Sequence, residues 1–134
     1  MPPCVTEIGL RGPVHALLRI GAGLLFLQHG LQKLFGLLGG SAVPVGSLLG
    51  LAGILETLGG LLLVVGLWTR PVAFVLMGQM LAAFLMAHLP KGGWPIQNGG
   101  ELPLIYALVF AVLATAGAGP ASLDTLDRRP AQRS

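Results

Sequence analysis

Three ionisable residues lie within apolar segments of the chain, where such residues are rare in proteins. His29 and Lys33 are four positions apart, so both side chains would share one face of a helix. Glu56 lies in the next apolar segment, with Gly53 three positions before it and Gly60 four positions after it. Because a charge in the middle of a bilayer costs roughly 2.5–3.5 kcal/mol, these residues predict either a paired cluster or a functional site.

The depths of these residues, counted from the ends of the predicted segments, indicate that they meet. At about 1.5 Å per residue, His29 would lie about 10 Å and Glu56 about 13 Å inside the same membrane boundary. The small residues beside Glu56 mark a surface where transmembrane helices approach closely, so its carboxylate is expected to face the bundle. We predict an outward-opening polar pocket formed by His29, Lys33 and Glu56, with Glu101 at its rim.

Two interpretations of this pocket follow from the residue types. A pocket of this kind would suit a quinone head group, with His29 or Glu56 carrying the protons. Alternatively, Lys33 and Glu56 form a buried ion pair that fixes the register of two helices. Glu101 also suits the first turn of a helix, where the positive end of the helix dipole favours a carboxylate.

Four further polar residues have more than one interpretation. Arg19 either snorkels to the phosphates at the inner boundary or contacts a helix C-terminus or residues 122–124. Gln79 is expected to form a hydrogen bond between helices, and Tyr106 to donate one within the bundle or to a ligand. On a regular helix His88 faces away from Gln79, which places His88 at the pocket rim or in solvent.

Metal and nucleic-acid chemistry are not expected from this composition. The chain has one cysteine, Cys4, which excludes an internal disulfide and any zinc or iron–sulfur site built from cysteines. The spacing of the histidines gives no support to a haem or metal site, so we expect no metal and no covalently bound cofactor. A net charge of +3 from eight basic and five acidic residues is too sparse for a nucleic-acid surface.

The composition requires a membrane protein. Of the 134 residues, 54% are hydrophobic and 10% are charged, whereas soluble domains carry roughly 25% charged residues. Glycine and proline clusters divide the chain into four apolar spans, and helices are expected because lipid offers backbone groups no water. The prediction is an all-α integral membrane four-helix bundle. Its parts are a tail at 1–13, a domain at 14–119 with spans at about 14–36, 47–67, 71–89 and 101–117, and a tail at 120–134.

The distribution of basic residues predicts that both termini are cytoplasmic. Four spans place the two termini on the same side of the membrane. That side would hold five basic residues and the opposite side two, and basic residues favour the cytoplasmic side. The five are Arg11, Arg70, Arg128, Arg129 and Arg133, and the two are Lys33 and Lys91.

Three motifs in order carry a resemblance to a known family. They are RIGAG at 19–23 with FLQHGLQKLFG at 26–36, ETLGG at 56–60 with GLWTR at 66–70, and GAGPASLD at 117–124. They resemble the signatures of the DoxX family of small four-helix membrane proteins, over roughly residues 14–127. The resemblance implies the four-helix fold and the bacterial inner membrane, and it implies no catalytic residue.

The resemblance also implies redox functions. Members of the DoxX family are associated with quinone-linked sulfur oxidation, as the small membrane part of a thiosulfate:quinone oxidoreductase, and with complexes of thiol and oxidative-stress defence. We therefore expect a membrane subunit or anchor that associates with an oxidoreductase and binds a quinone. The alternatives are a thiosulfate-oxidising subunit with a direct role in proton handling, and a small transporter. The expected partners are the lipid bilayer and an oxidoreductase. A second copy of the chain is also open as a partner, because the 21 glycines allow helices of two copies to pack closely.

Overall fold

The computed structural model describes residues 4–126, with the backbone alone for residues 4–9. These residues form helices and no strand, which confirms the all-α prediction. After the third helix the chain continues through a π turn at Phe84–His88 and a 3-10 turn at Leu89–Lys91. The helices are α1 (Cys4–Phe35), α2 (Leu48–Val65), α3 (Thr69–Ala83), α4 (Pro95–Asn98) and α5 (Glu101–Ala116).

The lengths and surfaces of the helices are those of a multi-pass membrane protein. Among the described residues, three segments are long and apolar enough to cross a bilayer: Leu10–Phe35, Leu48–Val65 and Thr69–Lys91. Helix α5 is also apolar but has 16 residues, so it spans about 24 Å of a hydrocarbon core that is roughly 30 Å thick. Large apolar side chains such as Leu17 and Leu108 are exposed, which is expected where a surface faces lipid.

The two ends of the domain differ from the predicted boundaries. Helix α1 begins at Cys4 rather than near residue 14, and it contains Pro13. Proline removes one backbone donor, and this loss does not end the helix. Residues 120–126 pack against the bundle instead of leaving it as a tail. Of the predicted cytoplasmic residues, the side chain of Cys4 and all of residues 127–134, including Arg128, Arg129 and Arg133, lie outside the described part.

Helices α1 and α2 pack backbone to backbone through glycines. A Cβ atom built on Gly60 would lie 2.8 Å from the carbonyl oxygen of Gly23, and one built on Gly23 would lie 2.8 Å from that of Gly60. Further along, a Cβ atom on Gly53 would lie 3.0 Å from the Cβ atom of Lys33. Only glycine allows so close an approach, which places Lys33 directly against the face of α2 that carries Glu56.

The remaining helices complete one core. Helix α3 packs along α5 and also against α2, where the side chain of Leu76 lies on Gly59. The ring of Phe26 on α1 meets the rings of Tyr106 and Phe110 on α5, with centroids 5.1 and 5.0 Å apart. These contacts fix the distances between Lys33 on α1, Glu56 on α2 and Gln79 on α3.

Candidate functional site

A buried ion pair joins α1 to α2. The Nζ atom of Lys33 donates to both carboxylate oxygens of Glu56, at 2.6 Å to Oε1 and 2.8 Å to Oε2. The side chain of Glu56 is 2% exposed, whereas that of Lys33 is 30% exposed. From α3, the Nε2 atom of Gln79 donates to Oε1 of the same carboxylate at 3.3 Å. Three helices therefore converge on one carboxylate.

A cavity of about 230 Å³ lies beside this pair, and we call it the polar cavity. Its wall includes His29, Lys33, Glu56, His88 and Tyr106, together with apolar residues of α1, α3 and α5. The His29 ring meets the Tyr106 ring edge-on, with the ring centroids 6.0 Å apart. The structure thus brings His29, Lys33 and Glu56 to one cavity. Their role in binding or in proton transfer stays a prediction.

Glu101 does not belong to this wall. Its side chain is exposed at the first turn of α5, while its neighbours Leu102 and Pro103 line the polar cavity. The expected rim carboxylate is therefore absent from the lining. The position of Glu101 in the first turn of α5 agrees instead with the alternative interpretation, in which the positive end of the helix dipole favours a carboxylate.

The irregular turns after α3 bring His88 to the polar cavity. Pro90 lacks a backbone N–H, and its ring crowds the carbonyl group four residues earlier, so regular α-helical hydrogen bonding gives way before it. The Nδ1 atom of His88 lies 3.1 Å from the carbonyl oxygen of Asn98. His88 is half-buried and lines the polar cavity, so it is neither simply in solvent nor grouped with Glu101.

A second cavity, of about 210 Å³, lies against the same carboxylate between α2 and α3, and we call it the lateral cavity. Four residues line both cavities: Lys33, Glu56, Met80 and Ala83. Gln79 lines the lateral cavity and not the polar one. The rest of its wall is aliphatic. The Lys33–Glu56 pair therefore lies between the polar cavity and the largely apolar lateral cavity.

Arg19 forms a second cluster at the opposite end of the bundle. It is 0% exposed, so the snorkelling interpretation is wrong. Its Nε atom donates to the carbonyl oxygen of Leu63 in the last turn of α2, at 2.9 Å. Its two terminal nitrogens donate to three carbonyl oxygens after α5, at 2.5, 3.2 and 2.8 Å: those of Ala118, Pro120 and Ala121. The guanidinium thus joins α1 to the end of α2 and to residues 117–126, which we call the C-terminal segment.

Asp124 extends this cluster to α3. Its carboxylate accepts from the backbone N–H groups of Trp68 and Thr69, at 2.8 and 2.9 Å, where the first N–H groups of a helix lack partners. Its own N–H donates to the carbonyl oxygen of Gly66 at 2.9 Å. Gly66 has φ +73°, and a side chain there would collide with Ser122. The C-terminal segment therefore caps α3 and closes the turn between α2 and α3.

The sequence analysis did not single out Met80, which lines the polar cavity, or Asn98, which lies at the end of α4. Met80 carries no charge, and its place in both cavity walls has no signal in the sequence. Asn98 is 4% exposed, donates to the carbonyl oxygen of Gly92 at 2.8 Å and accepts from the N–H of Gly100 at 2.8 Å. The run from Asn98 to Gly100 is typical of a tight turn, so the turn was accessible to sequence reasoning.

The site brings acid and base groups together at one cavity. Among the residues whose side chains are described, no three His, Cys, Asp or Glu side chains come together as metal ligands do. A carboxylate, a lysine and an imidazole at one cavity can instead hold a polar ring and exchange protons with it.

The motifs noted in the sequence meet in these two clusters. Arg19, the turn at 66–70 and the segment at 117–124 form the cluster at one end of the bundle, and His29, Lys33 and Glu56 form the cluster at the polar cavity. The DoxX family profile matches residues 14–89. A Haemophilus influenzae protein described only as uncharacterized is 38% identical over 116 residues, which cover 81% of this chain and 87% of that protein.

A second H. influenzae protein with the same description is 40% identical over 68 residues, which cover 51% of this chain and 45% of that protein. No solved structure matches the chain at a significant level. The family profile covers more than half of the chain, and the first relative covers most of it. On these grounds the chain belongs to DoxX, a membrane family often linked to redox-associated functions.

Proposed function

We propose that this chain is a membrane subunit or anchor of a redox system, and that its polar cavity binds the head group of a quinone. The observation that carries the proposal is the Lys33–Glu56 pair, buried in a membrane bundle and open to a cavity that also holds His29. Ionisable residues inside a membrane are expensive and are functional by default. The family's redox link supports the choice of ligand.

The residues present fit such a head group. The polar cavity of about 230 Å³ is smaller than ordinary ligand pockets of roughly 300–1,000 Å³, which suits one substituted ring whose tail remains in lipid. Tyr106 offers a ring face, and His29 and His88 offer imidazole nitrogens. When bound, a quinone would supply the electron-carrying chemistry, for which protein side chains have no equivalent.

The chain's own residues would position the ring and move protons. Lys33 would donate to a ring oxygen, while its pairing with Glu56 keeps the ammonium group in place. His29 lines the polar cavity together with the pair and is the group best suited to exchange a proton, since a neutral imidazole carries one donor nitrogen and one acceptor nitrogen. Electrons would come from a bound substrate or from an associated oxidoreductase.

Quinone binding is the test of the polar cavity. In lipid nanodiscs, His29→Ala and Glu56→Gln are each expected to weaken binding of decylubiquinone about tenfold, because the first removes a hydrogen-bond partner of the ring and the second removes the anion that holds the Lys33 ammonium group in place. Glu101→Gln is the matched control and should leave the affinity within about twofold, because Glu101 is not part of the wall. Circular dichroism verifies that each variant is folded. Affinities that are equal in all four proteins, or absent in the wild type, would contradict the proposal.

The role as an anchor has its own test. In the organism that makes it, deletion of the gene is expected to move an oxidoreductase from the membrane fraction to the soluble fraction. The same enzyme should co-purify with an affinity-tagged copy of the full chain. If every quinone-linked activity stays in the membrane fraction after deletion, the anchor proposal is wrong.

We also propose that the protein lies in the bacterial inner membrane with both termini in the cytoplasm. The support is the count of basic residues, in which Arg11 and Arg70 lie at the same end of the bundle as residues 117–126. Lys33 and Lys91 lie at the other end. This orientation opens the polar cavity towards the periplasmic side.

A further inference from the structure

Gln79 has a buried amide oxygen that no described residue satisfies. Its Nε2 atom donates to Oε1 of Glu56 at 3.3 Å, and this contact decides which way round the amide lies. The reverse orientation would place two acceptor oxygens against each other. The Oε1 atom of Gln79 is consequently left buried with no hydrogen-bond partner among the described residues. Orphaned acceptors of this kind are rare and point to a missing donor.

The lateral cavity, which Gln79 lines, has two ends of different character. Its inner wall carries the polar groups of Lys33, Glu56 and Gln79. Its outer wall consists of aliphatic side chains from the start of α2 and the end of the α3 segment. Leu48 and Met86 on that outer wall are 63% and 62% exposed. In a membrane such side chains face acyl chains, so the cavity opens sideways into hydrocarbon.

We propose that the lateral cavity binds a lipid-soluble compound that carries a hydroxyl group on an apolar chain. The hydroxyl donates to Oε1 of Gln79, and the chain lies along Leu48 and Met86 towards the lipid. The ligand must supply the donor. The Glu56 carboxylate next to Gln79 is itself an acceptor, and the ammonium group of Lys33 already donates to that carboxylate. A compound that only accepts hydrogen bonds leaves the Gln79 oxygen unsatisfied.

This inference goes beyond the proposed function, which concerns the polar cavity and a quinone. Two sources supply the required chemistry: an isoprenoid or fatty alcohol, and a hydroquinone with an alkyl tail. Each has a close analogue without a donor, namely the methyl ether of the alcohol and the oxidised quinone. Comparison within each pair isolates the hydroxyl hydrogen from chain length and shape.

The test is equilibrium binding to the full chain in nanodiscs, with farnesol against farnesyl methyl ether and decylubiquinol against decylubiquinone. In at least one pair, the donor is expected to bind about tenfold more tightly than its analogue. The pair that shows the difference identifies the source of the hydroxyl. If neither pair shows a difference in the wild-type protein, the inference is overturned, and no substitution is needed for that result.

Variants then assign the effect to Gln79. Gln79→Leu is expected to abolish the tenfold preference, because leucine has a similar volume and no acceptor. Gln28→Leu, at an exposed glutamine of α1, is the matched control and should retain the preference. A preference that survives Gln79→Leu would overturn the assignment. His29→Ala should leave the preference for farnesol over its methyl ether unchanged, since His29 lines the polar cavity and not the lateral one. A loss of quinone binding in His29→Ala therefore tests the proposed function, whereas the farnesol comparison tests the lateral cavity.

Discussion

Replacement of Arg19 by alanine is expected to destabilise the folded bundle by about 3–5 kcal/mol, the loss typical of removing one partner from a buried charged contact. The guanidinium donates to the carbonyl oxygens of Leu63 in α2 and of three residues after α5. Alanine would leave the buried carbonyl oxygen of Ala118 without its side-chain donor and would take one donor from that of Leu63, and an unsatisfied buried group costs about 1–3 kcal/mol. The measurement is unfolding in mild detergent micelles, followed by circular dichroism.

Two variants make this prediction specific. Arg19→Lys keeps the charge but lacks the planar fork that reaches several carbonyl groups at once, so an intermediate loss is expected. Arg70→Ala replaces an exposed residue at the same end of the bundle and should cost less than about 1 kcal/mol. If Arg19→Ala unfolds no more easily than Arg70→Ala, the carbonyl groups have other partners and the role assigned to Arg19 is wrong.

Replacement of Lys33 by methionine is expected to cost about 3–5 kcal/mol, because it leaves the carboxylate of Glu56 buried without a cation. Glu56 is 2% exposed, so its carboxylate has little hydration to offset the loss of the ammonium group. Adding Glu56→Gln to the Lys33→Met chain removes the unpaired charge, and we expect at least half of the stability to return. The measurement is the same detergent unfolding assay, applied to both single variants and the double variant.

The double-mutant cycle distinguishes an ion pair from two independent contributions. A coupling of about 2 kcal/mol or more is expected for groups in direct contact, whereas independent sites add within about 0.5 kcal/mol. Strictly additive losses would show that Lys33 and Glu56 contribute separately. A strong coupling combined with unchanged quinone binding in Glu56→Gln would favour the alternative in which the pair only fixes helix register.

The sequence alone was sufficient for the class of fold. Runs of uncharged apolar residues require a membrane, and lipid requires that backbone groups pair within helices. Glycine and proline clusters marked the ends of α2 and α5 closely, whereas α3 gives way to a π turn six residues before the predicted end of its span. The start of α1 was missed because Gly12 and Pro13 resemble a boundary, although a helix tolerates the loss of one donor.

Local spacing also identified which face of a helix would be buried. Gly53 and Gly60 flank Glu56 on one face, and the structure has these glycines against α1. Such spacing describes neighbours within three or four positions on one helix. It does not say which distant residue lies opposite.

The sequence analysis offered the Lys33–Glu56 pair from the similar depths of His29 and Glu56, but the other contacts between distant segments were decided by the tertiary structure. Arg19 binds the carbonyl oxygen of a residue 99 positions away, and no local pattern favoured that contact over lipid phosphates. The turn forced by Pro90 decided where His88 lies, and the helix dipole suits Glu101 outside the cavity. The lateral cavity and the orphaned oxygen of Gln79 exist only because three helices converge on one carboxylate. Helical periodicity is a property of single segments, whereas a cavity and its unsatisfied atoms are properties of how those segments pack.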